Sequence, residues 1–185
     1  MRKVQIDKPI ILFIGSFMSV FNFEDIQKVA KINPKIQFVF AGDGDQFFKV
    51  KKLFEGMDNV YFPGWIEEDK VKAIFAYASA FIAPYKRIDN FLLNFPNKLV
   101  DSLNYGKPII TSLDGEAGKL IKENNAGFVY ENHNDLNEII IRLINDKKLQ
   151  SEMSKNALNL YSKEFDFNRV YGNFVKHIEW VCDSK

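Results

Sequence analysis

Short apolar runs alternate with amphipathic stretches along the first 130 residues of the chain. Successive apolar positions are typical of strands buried on both faces of a parallel sheet, and the amphipathic stretches have the spacing of crossover helices. The pattern predicts strands at 10–14, 36–41, 59–62, 80–83, 108–111 and 127–130. It predicts helices between them at 24–32, 46–54, 67–77, 96–106 and 116–123. These β–α steps indicate a doubly wound α/β domain.

Beyond Glu131 the spacing of apolar residues is helical throughout. Three further helices are predicted, at 134–145, 148–162 and 168–182, which make a helical tail over about 132–182. Phe174, Ile178 and Val181 share one face of the last helix, so we expect that helix to dock on the rest of the chain. No linker rich in Ser, Gly or Pro divides the sequence, and residues 1–185 are therefore expected to form a single domain.

Composition and charge exclude several classes of protein. The chain is 46% hydrophobic and 26% charged, as an ordinary globular protein is. Its net charge of +1 provides no general field for nucleic acid or anionic lipid, so neither partner is expected. One cysteine excludes an internal disulfide and a cysteine-based metal site. The longest apolar stretch, 73–84, is shorter than the roughly 18–20 residues that span a bilayer. We expect a cytoplasmic protein without membrane association or a metal centre.

Three common chemical motifs are missing. No GxGxxG follows the first strand, and there is no GxxxxGK[ST] or GxSxG. Gly42-Asp43-Gly44 is too short for a dinucleotide fingerprint. These absences disfavour dehydrogenase, P-loop nucleotidase and serine hydrolase activities.

The most informative segment is 94–110, where Pro96 begins a predicted helix and Lys98 lies in its first turn. A cation there opposes the helix dipole unless an anion bridges it and the free backbone N–H groups. Asp101 lies three residues further and therefore on the same side of the helix. The pair fits a phosphate at Lys98 and a ribose diol at Asp101. A surface ion pair between the two is the alternative interpretation.

Four stretches of the sequence occur in an order and spacing that resemble a known family: ILFIGSF (11–17), FVFAGDGD (38–45), NVYFPGWIEEDKV (59–71) and FPNKLVDSLNYGKPIITS (95–112). They are similar to the C-terminal, nucleotide-sugar-binding half of GT-B glycosyltransferases of the large retaining group often called glycosyltransferase family 4. The resemblance implies a Rossmann-like domain that is one half of a GT-B fold. It also implies a nucleoside-diphosphate sugar of the UDP or GDP type as the donor substrate, with no other cofactor.

The resemblance assigns roles to particular residues. Asp101 stands where family members commonly have the Glu that holds the ribose hydroxyls. Asn97 and Lys98 belong to a Pro-x-Lys form in which the helix start and the lysine are placed for the diphosphate. Gly15, followed by Ser16, matches the turn where the diphosphate approaches the backbone.

The same resemblance places Trp65 and Ile66 in the loop that lines the nucleobase.

The sequence also departs from the family pattern. The first Glu of a paired-glutamate motif, eight residues before Asp101, is Leu93 here, so the catalytic residues stay unassigned. Possible substitutes for it are Asp89, Asn90 and Asn94. The basic pair that follows the first-strand glycine is absent, and Lys86 and Arg87 are the candidates to replace its charge.

The largest departure is length, because a complete GT-B enzyme has two such domains and this chain resembles only the second. The expected partner is an N-terminal GT-B domain, in cis or in trans, without which the chain should bind donor and not turn over. One alternative is a degenerate or regulatory subunit, which Leu93 would suit. Another is a nucleotide-free interaction module of the flavodoxin type, although Gly15-Ser16-Phe17 lacks the acidic residues which that class carries there. Sugar, base and acceptor stay open.

Overall fold

The computed structural model describes residues 4–183, which form a six-stranded parallel sheet between layers of helices. The strands are β1 (Ile10–Ile14), β2 (Gln37–Ala41), β3 (Val60–Gly64), β4 (Ala80–Ala83), β5 (Ile109–Thr111) and β6 (Gly127–Val129). Their order is β3-β2-β1-β4-β5-β6, and every neighbouring pair is parallel. The prediction of a doubly wound, Rossmann-like α/β fold is confirmed.

The helices also follow the predicted pattern, with bounds within two residues of those expected. They are α1 (Glu24–Ile32), α2 (Phe47–Leu53), α3 (Glu68–Tyr77), α4 (Asp89–Leu92), α5 (Asn97–Asn104), α6 (Glu116–Glu123), α7 (His133–Asn145), α8 (Lys147–Leu160) and α9 (Phe167–Asp183). Helix α4 and a π-helical turn at Tyr161–Phe165 were not predicted. A single turn is too short to show an apolar period, which explains the absence of α4 from the prediction.

Aromatic side chains fill the core beneath the carboxyl end of β1. The Phe13 ring, fully buried, lies 5.2–5.3 Å from the rings of Phe17, Phe21 and Phe23, measured between centroids. Full burial of each such ring contributes about 1.5–3 kcal/mol to folding. The cluster therefore packs the carboxyl end of β1 firmly against the core.

The apolar face of α9 is exposed. The helix buries none of its residues, and the side chains of Phe174, Ile178 and Val181 are 59%, 45% and 40% exposed. The prediction that this face docks on the rest of the chain is therefore wrong for the part of the chain that the structure describes. Helical spacing reveals that a helix has an apolar face, but it does not reveal which surface covers that face.

The sheet topology identifies where a ligand would bind. β1 pairs with β2 on one side and with β4 on the other, so the strand order reverses between β1 and β4. In open α/β sheets, ligands bind in the crevice outside the carboxyl ends of the strands at such a switch point. No helix within residues 4–183 has the length and apolar character needed to cross a membrane.

Candidate functional site

The segment that follows β1 and the segment that follows β4 are hydrogen-bonded to each other at the entrance of the switch-point crevice. Phe21, in the connection after β1, forms an isolated antiparallel bridge with Tyr85, which follows β4. The Lys86 backbone N–H donates to the Val20 carbonyl oxygen at 2.7 Å. The crevice between β1 and β4 therefore has fixed walls.

Gly15 directly follows β1 and has a φ of 139°, a conformation that residues with a side chain rarely adopt. A Cβ atom built on Gly15 would lie 1.6 Å from the Nζ atom of Lys98. The lysine side chain therefore occupies the space that the missing side chain leaves. Two residues that the sequence assigned to one site from distant segments are thus brought together.

The ammonium of Lys98 lies in apolar surroundings in the first turn of α5. Its Nζ atom is 5.6 Å from the centroids of both the Phe13 and Phe21 rings. Among residues 4–183, no hydrogen-bond acceptor and no carboxylate within ion-pair distance contacts it. Burial lowers the pKa of Lys98, and the charge of Asp101 partly opposes this shift. A half-buried cation with free N–H donors at a helix N-terminus is a ready site for an anion.

Asp101 lies one turn further along α5 and is exposed. Partial burial of its carboxyl group raises the pKa of Asp101, and the Lys98 ammonium opposes that rise. This mutual effect agrees with the prediction that both side chains are on one side of the helix. Asn97, the first residue of α5, and Ser16, next to Gly15, are exposed.

Trp65 and Ile66 are not in contact with this group. They follow β3, which is separated from β1 by β2, so the ends of β1 and β3 are about 10 Å apart. Trp65 is 77% exposed in its loop, and Ile66 lines an open apolar groove of about 840 Å³ along β3. Only an elongated ligand could contact Lys98 and Trp65 together.

Arg87, a suggested replacement for the missing basic charge, is bound to the backbone of two other segments. Its Nε and Nη2 atoms donate to the carbonyl oxygens of Ser112 and Tyr130, both at 3.0 Å. The guanidinium therefore ties together the segments that follow β4, β5 and β6. This role depends on three segments that meet only in the fold, and the sequence carries no signal for it.

The substitutes considered for the missing glutamate lie in and after α4. Leu93, directly after this helix, is 79% exposed. The Asn94 side-chain amide donates to the Asn90 carbonyl oxygen at 2.5 Å. That bond uses one of the two N–H donors of the Asn94 amide, and Asp89 is the ionisable residue among the three.

The sequence profile of the family described as "Glycosyl transferases group 1" matches residues 2–160. No curated protein sequence matches the chain significantly. Among solved structures, sucrose-phosphate synthase from Thermosynechococcus elongatus is similar over 98% of this chain and 47% of its own, with a TM-score of 0.83 and 17% identity. HepE from Anabaena, solved with UDP-glucose, is similar over 94% of this chain and 49% of its own, with a TM-score of 0.79 and 16% identity.

The C-terminal domain of the group 1 glycosyl transferase LpcC from Francisella tularensis is similar over 86% of this chain and 87% of its own, with a TM-score of 0.71 and 14% identity. The chain spans about half the length of the first two proteins. At these identities the structural likeness establishes the fold, whereas the profile covers most of the sequence. The chain belongs to the glycosyl transferases group 1 family.

Proposed function

We propose that this chain is the donor-binding C-terminal domain of a retaining GT-B glycosyltransferase of family 4, which binds a nucleoside-diphosphate sugar of the UDP or GDP type. The observation that carries the proposal is the Lys98 ammonium, half-buried over Gly15 with no hydrogen-bond acceptor among the described residues. A partly desolvated cation of this kind is costly unless an anion binds it.

We expect the donor to lie along the carboxyl edge of the sheet. The diphosphate binds over Gly15 at Lys98 and the first turn of α5, while Asp101 accepts hydrogen bonds from the ribose hydroxyls. The base then extends toward Trp65, whose exposed ring offers a stacking surface. The complex of HepE with UDP-glucose supports a donor of this class.

The chemistry proposed for the intact enzyme is transfer with retention at the anomeric carbon. The bond from the sugar to the diphosphate breaks, its electron pair leaves with the diphosphate, and the acceptor oxygen bonds to the same face of the sugar. The proton of the acceptor hydroxyl passes to the departing diphosphate oxygen. The ammonium of Lys98 and the N–H groups that begin α5 stabilise the growing negative charge without a metal ion.

An N-terminal acceptor domain, in cis or in trans, completes the proposal. The chain spans about half the length of sucrose-phosphate synthase and HepE. The apolar side chains of Phe167, Tyr171, Phe174 and Ile178 recur along one face of α9 and are 45–64% exposed. A row of this size needs an apolar partner surface, and the acceptor domain would supply it. Alone, the chain binds donor and does not turn over.

The proposal is tested by calorimetric titration of the chain with UDP, GDP and ADP. We expect one nucleotide to bind saturably, and Asp101→Ala to weaken it about tenfold, because a hydrogen bond to a charged group contributes about 1.5–3 kcal/mol. The matched control is Glu123→Ala, which removes an exposed carboxylate at the far end of α6. A 2′,3′-dideoxy form of that nucleotide should bind the Asp101→Ala variant as well as the parent nucleotide does. Absence of binding by all three nucleotides would contradict the proposal.

The affinity for the nucleotide is expected to fall at alkaline pH. Burial holds the pKa of Lys98 below its ordinary value of 10.5, so the ammonium loses its proton at a lower pH than a fully hydrated lysine side chain would. Binding requires the charged form and is therefore strongest well below that pKa and declines as the pH rises through it. Titrations between pH 7 and 10 measure the decline.

The control is Lys98→Arg, since a guanidinium stays charged throughout this range. Ionisation of the base or phosphate affects both proteins equally, so only the difference between them reports Lys98. Parallel profiles for the two proteins would exclude Lys98 as the titrating group.

Leu93 favours one second candidate, a degenerate or regulatory subunit that retains the fold and has lost transfer. An exposed leucine, instead of a carboxylate, follows α4. Addition of the acceptor-domain chain separates the two candidates, because sugar transfer by the mixture would exclude the regulatory subunit.

A further inference from the structure

We propose that the rings of Phe13 and Phe21 form an aromatic cradle that positions the Lys98 ammonium over Gly15, which makes Phe21 a positioning residue of the donor site. The inference rests on the proposed role of Lys98 as the diphosphate contact. It identifies the side chains that hold the lysine in place, which the sequence does not indicate.

The cradle is formed by two rings that approach the ammonium from different segments. Phe13 lies within β1, and Phe21 lies in the connection between β1 and α1. Their centroids are 5.2 Å apart with an angle of 80° between the planes, and each is 5.6 Å from the Nζ atom of Lys98. Both separations from the cation are within the range of cation–π attraction.

Both rings are themselves fixed. Phe21 is 6% exposed, packs 4.7 Å from the ring of Tyr85 and shares a backbone bridge with that residue. Phe13 is fully buried within the sheet. The flexible four-carbon stem of a lysine would otherwise sample many conformations, so a fixed cradle reduces the entropy lost when an anion binds.

Aromatic faces suit this task better than a hydrogen-bond acceptor would. A carboxylate paired with Lys98 would neutralise its charge and compete with the diphosphate for the N–H donors. A ring attracts the cation through its quadrupole and leaves all three N–H donors free. The segment 16–27 contains no Lys or Arg, so the positive charge over Gly15 comes from α5 and must be held there.

Trifluorophenylalanine at position 21 tests the cradle directly, because fluorination weakens the quadrupole of the ring and nearly preserves its size. We expect about three- to tenfold weaker binding of the nucleotide that the wild-type chain prefers, with only a small loss of stability in urea. Phe21→Leu should weaken binding by at least as much.

The matched control is Phe23→Leu. Phe23 is equally buried and its ring lies 5.2 Å from that of Phe13, but it is not one of the two rings over the ammonium. It should lose similar stability and retain the affinity. Unchanged affinity in the fluorinated variant would overturn the proposal.

A nuclear magnetic resonance measurement tests the cradle independently of nucleotide binding. In the free wild-type chain, ring currents should shift the ε-methylene protons of Lys98 upfield of those of the other lysines. Phe21→Leu should reduce this shift, and Phe23→Leu should leave it intact. A wild-type Lys98 signal at the position of exposed lysines would overturn the cradle even if nucleotides bind. Failure of all nucleotides to bind despite a shifted signal would instead contradict the proposed function.

Discussion

Replacement of Lys98 with methionine is expected to abolish most of the nucleotide binding while leaving the free energy of unfolding almost unchanged. The ammonium is the group proposed to bind the diphosphate, and hydrogen bonds to charged groups contribute about 1.5–3 kcal/mol each. Loss of two such bonds would reduce affinity by about two to four orders of magnitude.

Stability should behave differently because the lysine is a poor contributor to folding where it lies. Burial lowers its pKa, which means that the surroundings disfavour the charged form in the folded protein. Methionine has a similar length, packs against Phe13 and Phe21, and needs no hydration. Relief of that desolvation offsets the lost cation–π attraction, so a change within about 1 kcal/mol is expected.

Calorimetry and urea unfolding measure the two quantities on the same protein. Lys119→Met, which changes an exposed lysine on α6, should alter neither. Leu99→Ala, at a fully buried position of α5, should show the opposite pattern in stability, with a loss of about 2–5 kcal/mol. If Lys98→Met bound nucleotide normally, the lysine would not be the diphosphate contact. A stability loss like that of Leu99→Ala would make it a structural residue.

Much of the fold could be predicted because its buried strands are continuous apolar runs and its helices have apolar residues at helical spacing. β1 is apolar at every position, as a strand covered on both faces must be, and α5 follows a proline that ends a loop. The surface that covers the apolar face of α9 could not be predicted. The spacing of Phe174 and Ile178 is the same whether this face docks within the chain or on another protein surface.

The candidate site could be predicted only where its residues are local in sequence. Lys98 and Asp101 share a helix, so their spacing places them on one side of it. The contact between Lys98 and Phe21 depends on the alignment of α5 with the end of β1, which the sequence does not specify. The same holds for Arg87, whose acceptors lie after β5 and β6.

Gly15→Ala is expected to lose nucleotide binding at a moderate cost in stability. A Cβ atom at this position would overlap the Nζ atom of Lys98, at 1.6 Å, and the flexible lysine would have to leave the cradle. Because the lysine can move, the cost to folding comes mainly from the φ of 139°, about 1–2 kcal/mol for a residue with a side chain.

Gly56→Ala isolates that backbone cost. Gly56 has a φ of 80° and no heavy atom within 4 Å of a Cβ atom built on it. This variant should lose stability in urea through its positive φ alone and bind nucleotide like the wild-type chain. Equal affinities of the two glycine variants would show that the space over Gly15 is unimportant for binding.

A double variant of Gly15→Ala and Lys98→Met then links the two effects. If the alanine acts on binding by displacing the lysine, it has nothing further to remove once the ammonium is gone, and the double variant should bind no more weakly than Lys98→Met alone. Positions 15 and 98 are in contact, so the changes in unfolding free energy are not expected to add, and affinity is the quantity that this comparison uses. Independent losses of affinity would mean that Gly15 contacts the diphosphate through its own backbone, in addition to making room for Lys98.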